Sequence, residues 1–290
     1  MTAGIREEIE RYLRTGDSDP YAAAWQGAFL ERHEHARKDL REALVAEVAA
    51  RSRGKPAART GDDRNVAELV RRKVEPMVAG LFRRAEREPV LRLLEGSVVF
   101  LTRDRIREVL LEVSWPRTAW NLANLYLASV GAELLDEQAP SIVGLSEDTT
   151  CFVSMEYFDD DAPFSDFVVH EAAHVFHNCK RRTVGLPEKP CREWLLDIEY
   201  SKREVFAYSC EAYARILERS RSPSERAALA EKYENCLEIL DERAEPREVA
   251  AIVRDACAAR AGWKVILARC SPAHQPCRER RIRSQERSGR

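Results

Sequence analysis

Three of the six histidines in this chain lie within one eight-residue stretch, HEAAHVFH, at His170, His174 and His177. An α-helix turns by about 100° per residue, so all three side chains would lie within about 40° of His170 on one helix face. Imidazole nitrogens are common zinc ligands. The stretch therefore predicts a histidine-lined helix face that is a candidate metal site.

The first five residues of the stretch have the spacing His-Glu-x-x-His, with Glu171 between the two histidines. Histidines one helical turn apart can bind the same tetrahedral Zn²⁺, while Glu171, about 100° further round the helix, can contact a water at the metal. The spacing predicts His170 and His174 as metal ligands and Glu171 as a general base. A helix surface that carries two histidines by chance is the alternative.

A zinc hydrolase needs a third protein ligand and keeps the fourth position for water. His177 cannot be that ligand together with His170, because residues seven apart on one straight helix are separated by about 10 Å along its axis. Three roles stay open for His177: a hydrogen bond to groups outside the ligand set, a contact with substrate, or a position facing solvent.

The segment SKREVFAYSCEAYARILE can supply the third ligand, because helical spacing gives it one polar and one apolar face. A solvent-exposed face would give the same division. Its two central carboxylates lie two turns apart, about 10 Å, so only one of them can reach a given ion. The polar face carries Glu204, Tyr208, Glu211 and Arg215.

HEAAH followed thirty residues later by EVFAYSCEA resembles the gluzincins, zinc metallopeptidases with thermolysin-like active-site helices. The resemblance covers about residues 95–220 and implies a zincin-like core with one catalytic Zn²⁺. It also implies that TTCFVSMEYF is the edge strand that pairs with an extended substrate. The ligands and general base that it implies are His170, His174, Glu204 and Glu171.

The same resemblance favours Glu204 over Glu211 as the ligand, because Glu204 begins a Glu-x-x-Ala pattern. Glu211 precedes Arg215 by one turn, which predicts an ion pair and a structural or substrate-facing role. Thermolysin-like members have Asp four residues after the ligand Glu, where this chain has Tyr208. Tyr208 is a candidate catalytic residue, since an oxyanion donor is needed. The donors left open are Tyr200, Tyr208, Tyr213, Arg203 and His177.

These residues predict an enzyme that hydrolyses peptide bonds, in which Glu171 takes a proton from an activated water and delivers it to the leaving amine. The expected partner is a protein or peptide substrate. Two other classes stay open: a zincin-like sensor or binding protein without turnover, and a helical interaction protein in which the motif arose by chance.

The composition is that of a soluble globular protein, with 44% hydrophobic residues, 33% charged residues and a net charge of −2 among 290 residues. This charge gives no reason to expect nucleic acid as a partner. The N-terminal residues lack the apolar core of a secretory signal, and no run approaches the length of a membrane span. We therefore expect a cytoplasmic protein with no membrane partner.

All eight cysteines lie from Cys151 onward, and in a reducing cytoplasm they are expected to be free thiols. Three of these cysteines and one histidine have a spacing that suggests metal binding but matches no common zinc template. Whether it binds a second metal is left open. The group consists of Cys257, Cys270, His274 and Cys277.

The expected fold class is α+β and mostly helical, with a small mixed or antiparallel sheet beside the metal-site helices. We predict an N-terminal helical region at 1–95 with a mobile linker near 51–64, and a zincin-like core at 96–220. C-terminal helices are expected at 221–270, followed by a basic, disordered tail at 271–290, where contact with nucleic acid or an acidic partner is the alternative.

Individual elements follow from periodicity and helix-capping signals. Ser165 is the predicted N-cap of the histidine helix, and Ser222 precedes Pro223 at the start of a later helix. The predicted strands span 97–101, 141–145 and 149–158. The predicted helices include 3–14, 20–51, 65–88, 117–135, 200–219 and one that ends at Gly262.

Overall fold

The computed structural model describes most of the chain as short helices around a small sheet. The residues that it describes are 2–55, 66–137, 139, 144–147, 149–158, 162–188, 192–236 and 242–272. The helices within them are α1 (Ala3–Thr15), α2 (Phe29–Arg51), α3 (Val66–Leu81), α4 (Arg84–Ser97), α5 (Ile106–Glu112), α6 (Pro116–Ser129), α7 (Phe167–Asn178), α8 (Arg203–Arg219), α9 (Pro223–Asn235), α10 (Pro246–Ala258) and α11 (Gly262–Cys270). The strands are β1 (Val98–Phe100), β2 (Gly144–Glu147) and β3 (Thr150–Val153). The predicted class, α+β and mostly helical, is confirmed.

The three strands form one mixed sheet in the order β1-β3-β2. β1 runs parallel to β3, whereas β2 is antiparallel to β3. The prediction that TTCFVSMEYF is the edge strand is therefore wrong, because β3 pairs on both of its sides. Only the first half of that segment is extended, and Met155–Phe158 forms a 3₁₀-helix. β2, which packs against α7, is an edge strand of this sheet.

The sheet lies between two hydrophobic clusters, because successive side chains of a strand point to opposite faces. Cys151 and Val153 of β3 join one cluster, and Phe152 joins the other. The first cluster gathers α3, α4 and α7–α11, whereas the second gathers α1, α2, α5 and α6. Helices of the predicted 1–95 region thus contribute to both clusters, and the domain boundaries stay a prediction.

The histidine helix α7 is capped by Asp166, whose side chain accepts a hydrogen bond from the backbone N–H of Val169. The predicted cap, Ser165, is wrong by one residue. Every residue from Val168 to His177 is buried, so the helix crosses the interior instead of lying on the surface. The negative charge of a carboxylate at this position also interacts favourably with the positive, N-terminal end of the helix dipole.

The helix α8 packs its apolar face into the same cluster, as its periodicity predicts. Phe206, Cys210 and Ile216 are completely buried there. Burial of large apolar side chains contributes about 1.5–3 kcal/mol each, so this face fixes the rotation of the helix. Its polar face is thereby turned toward α7.

Helix boundaries differ from the prediction where the backbone leaves the helical conformation. The predicted helix 20–51 begins only at Phe29, since Ala22 and Gly27 have positive φ angles. The predicted helix 65–88 is divided at Arg83, whose backbone is extended. Gly262 begins α11 instead of ending α10, and an added Cβ there would overlap the Tyr213 hydroxyl.

The described cysteines are free, and Cys236 is the exposed member. Cys257 and Cys270 are buried thiols, whereas His274 and Cys277 lie outside the described residues, as does the tail from residue 273. Residues 56–64 of the predicted linker also lie outside them. None of the helices in the described part of the chain has the length and apolar character that a membrane span requires.

Candidate metal centre

The packing of α7 against α8 brings His170, His174 and Glu204 together, with one ligand atom from each lying within 4.8 Å of the others. The two Nε2 atoms are 3.2 Å apart. Glu204 Oε2 lies 3.4 Å from His174 Nε2 and 3.8 Å from His170 Nε2. Among the described residues, these three side chains form the group that could hold a metal ion.

The spacing of these three atoms fits a small tetrahedral ion. Ligands about 2.0–2.1 Å from such an ion lie about 3.3–3.4 Å from one another, close to the separations in this triangle. Two imidazoles and one carboxylate also form the donor set of catalytic zinc sites. The residues present therefore fit a small tetrahedral metal ion such as zinc.

His170 is oriented by Glu211, which the sequence did not assign to this role. Glu211 Oε2 lies 3.0 Å from His170 Nδ1, and Glu211 Oε1 accepts a hydrogen bond of 2.7 Å from the backbone N–H of Asp166. The predicted pairing of Glu211 with Arg215 is wrong, because Arg215 binds Glu218 at 2.6 Å. Glu211 thus places a carboxylate beside His170, three residues after Tyr208 on the same face of α8.

His177 contacts Nδ1 of His174, the ring nitrogen that faces away from His170 and Glu204. Its Nε2 lies 3.1 Å from His174 Nδ1, and its Nδ1 lies 3.1 Å from Asn178 Oδ1. Its exposed fraction is 3%, so it does not face solvent. Of the three roles left open by the sequence, the structure supports a hydrogen bond outside the ligand set.

Glu204 is held from its other side by Arg243, which precedes α10. Arg243 Nη1 lies 2.9 Å from Glu204 Oε1, so Oε2 is the oxygen that faces the histidines. No sequence motif pointed to Arg243, because it comes from the C-terminal segment, 39 residues after Glu204. Its side chain is 72% exposed.

Glu171 is buried on α7, against the strand β2. Its exposed fraction is 6%, and its Oε2 has no hydrogen-bond partner among the described residues. A Cβ added to Gly144 of β2 would lie 3.0 Å from Glu171 Cγ and Oε1. Burial raises the pKa of the Glu171 carboxyl, while the nearby histidines and a hydrogen bond with Ser146 oppose the shift. Such a carboxyl is suited to accept and release a proton.

Tyr208 lies beside the ligands with its ring against His170. The ring centroids are 4.5 Å apart, and the planes meet at 71°. Among the other candidate donors, Tyr213 packs its ring on Trp263 at 4.8 Å in the helical core. Tyr200 is 83% exposed and lies under the Arg203 guanidinium. Tyr208 is therefore the tyrosine in direct contact with a candidate ligand.

The carboxylates beside His170 favour the charged form of this imidazole. Burial opposes the charged form of His170, but hydrogen bonds to Glu204 and Glu211 outweigh it and raise its pKa to about 10. Burial likewise opposes the charged form of Glu204, yet its contacts with His170 and His174 hold its pKa well below the usual range. A His170 with this raised pKa carries a proton on both ring nitrogens, and a metal cation bound here would replace one of these two protons.

His177 differs electrostatically from His170. Its burial, together with the nearby His174 and Arg203, lowers its pKa to about 3. It is therefore a neutral imidazole, with one ring nitrogen that accepts and one that donates a hydrogen bond.

The chain was compared with models of protein families, with curated proteins and with solved structures, and no significant match was found. The assignment of a function therefore depends on the residues of the site.

Proposed function

We propose that this protein is a zinc-dependent metallopeptidase that hydrolyses peptide bonds. The observation that carries the proposal is the triangle of His170, His174 and Glu204 ligand atoms, together with the buried carboxyl of Glu171, the residue that follows His170 on α7. The gluzincin-like sequence pattern supports the same assignment. Free cysteines among the described residues agree with a cytoplasmic location, which is part of the proposal.

Bound zinc would supply a Lewis acid that polarises the scissile carbonyl and lowers the pKa of a water from 15.7 toward about 7. His170, His174 and Glu204 are the residues that would hold it. Glu171 accepts the proton of the attacking water and delivers it to the leaving amine, since the carboxyl has an unpartnered oxygen and a raised pKa. Tyr208 is the proposed donor to the developing oxyanion.

The strand β2 is the proposed binding site for the substrate backbone. It is the last strand in the pairing order, and its Gly144 lies against Glu171. An extended peptide can add to a sheet edge through main-chain hydrogen bonds. A glycine at this position lets the substrate strand and the general base lie close together.

The second candidate function is a zincin-like binding or sensing protein without turnover. The triangle of His170, His174 and Glu204 fits this function as well, because binding a metal does not by itself require hydrolysis. Such a protein would bind zinc and have no use for a general base. The two functions differ in their dependence on Glu171.

The test is hydrolysis of a peptide library by zinc-loaded wild type and by Glu171→Gln. We expect cleavage by the wild type and at least a 10²-fold loss in Glu171→Gln, the usual scale for loss of a general base, with zinc retained. Equal cleavage by both proteins would remove Glu171 from the mechanism. Zinc binding without cleavage by the wild type would favour the binding protein.

A further inference from the structure

His177 is a buried histidine for which the proposed mechanism has no use. It lies one turn after His174 on α7, with an exposed fraction of 3%. Both of its ring nitrogens have a partner, each at 3.1 Å: His174 Nδ1 on one side and Asn178 Oδ1 on the other. Both polar atoms of this buried ring are therefore satisfied, as buried polar groups normally are, and one of the two partners is a candidate ligand.

Metal binding fixes the direction of both hydrogen bonds. His174 Nε2 faces His170 and Glu204, so ligation through this atom leaves the proton of His174 on Nδ1. That proton is donated to His177 Nε2. The proton of His177 must then lie on Nδ1, where it is donated to the amide oxygen of Asn178. One tautomer of each ring satisfies the whole chain of contacts.

We propose that His177 is a positioning residue for His174: a neutral imidazole acceptor, itself fixed by Asn178, that orients this ligand toward the metal. The proposal rests on the metal site of the proposed function. Partners of this kind hold the ring of a ligand histidine and select its tautomer. Glu211 does the same for His170 through a carboxylate.

A neutral acceptor suits this position because the centre already contains three carboxylates, those of Glu171, Glu204 and Glu211. A fourth carboxylate, at the buried position 177, would require the desolvation of one more negative charge. His177 is also not a ligand to the same ion, because its Nε2 contacts the nitrogen of His174 that faces away from the ligand triangle.

The test measures zinc affinity of apoprotein by competition with a chelator in wild type, His177→Phe, His177→Gln and His174→Ala. Phe keeps a planar ring but removes the hydrogen-bond acceptor, so we expect zinc affinity to be about 10–100-fold weaker. This is the usual loss when a hydrogen-bond partner of a metal ligand is removed. Gln retains an acceptor oxygen and should remain within a few-fold of wild type. His174→Ala, which removes a ligand, should lose far more than His177→Phe. Thermal unfolding of the zinc-free variants checks that each is folded.

A second measurement does not depend on a variant. Nitrogen-15 spectra of the zinc-loaded wild type should show His177 protonated on Nδ1 and unprotonated on Nε2, the less common tautomer. The opposite tautomer would overturn the proposal, as would wild-type affinity in His177→Phe or equal weakening by Phe and Gln. A loss in His177→Phe as large as in His174→Ala would make His177 a ligand instead. Absence of zinc binding in the wild type would overturn the proposed function itself.

Discussion

At the scale of single residues, each candidate ligand contacts a polar or charged side chain that lies outside the ligand triangle. Glu211 contacts His170, His177 contacts His174, and Arg243 contacts Glu204. The three partners are an anion, a neutral group and a cation. Their different charges indicate that they tune the ligands to different extents, because an outer carboxylate raises the basicity of an imidazole.

The two carboxylates on the polar face of α8 should have different effects on zinc affinity. Glu204→Ala removes a ligand and should weaken binding by orders of magnitude, measured by competition with a chelator. Glu211→Ala removes the partner of His170 and should weaken it about 10–100-fold. Glu218→Ala, on the same helix but with its side chain 48% exposed, is the control and should bind like the wild type. A larger loss in Glu211→Ala than in Glu204→Ala would exchange their roles.

Helical spacing predicted His170, Glu171 and His174 as site residues, and the gluzincin resemblance implied Glu204. Neither predicted the side chains that contact these residues from outside the triangle. Glu211 was assigned to Arg215 because an i, i+4 pair is the local expectation. In the folded protein, Glu211 contacts His170 on another helix, a contact that depends on the packing of α7 against α8.

At the scale of elements, the contact between β2 and α7 sets the position of the general base. Gly144→Ala would place a Cβ 3.0 Å from Glu171 Cγ and Oε1, so the carboxylate must shift by a few tenths of an ångström. We expect peptide hydrolysis to fall about tenfold, less than the ~10²-fold that follows a 1 Å misplacement. Zinc content should not change.

Gly96→Ala is a matched control for that substitution, because an added Cβ at Gly96 meets no atom within 4 Å among the described residues. Its activity should equal that of the wild type. Full activity in Gly144→Ala, measured at equal zinc content, would show that β2 does not restrict Glu171.

A buried ion pair fastens α4 to the segment that follows the histidine helix. Arg181, with no exposed surface, binds Glu86 at 2.6 Å and donates a hydrogen bond to the Pro187 carbonyl at 3.0 Å. Glu86→Ala leaves the guanidinium buried without its counter-ion, which should lower the free energy of unfolding by about 3–5 kcal/mol. Denaturant unfolding measures this change.

The control for this pair is Glu88→Ala on the same helix, whose carboxylate is 53% exposed and binds Arg71. Loss of this exposed pair should cost less than about 1 kcal/mol. If Glu86→Ala and Glu88→Ala are equally stable, the buried pair does not fasten α4.

Most helices were predictable because their periodicity and caps are local; Ser222, for example, caps α9 as expected. Strand order was not, because pairing depends on which segments meet in three dimensions. TTCFVSMEYF alternates like an edge strand, yet β1 and β2 both pair with it. The division of the predicted helix 65–88 depends on the capping contact of Glu86 with the backbone N–H of Arg83, which the apolar pattern does not show.

At the scale of the whole molecule, the sheet separates the two hydrophobic clusters, and the candidate centre lies on the side of α7 and α8. Its parts come from distant segments, since Gly144 and Arg243 are 99 residues apart in the chain. This assembly explains why no single stretch of sequence predicted the site completely. It also means that metal binding should depend on the fold of the whole chain.

The central claim is that His170, His174 and Glu204 form one zinc site, and the most direct measurement is the zinc content of the purified protein. We predict about one zinc per chain in the wild type and none in His170→Ala or His174→Ala, by elemental analysis after dialysis against a weak chelator. A full complement of zinc in both variants, or none in the wild type, would contradict the claim.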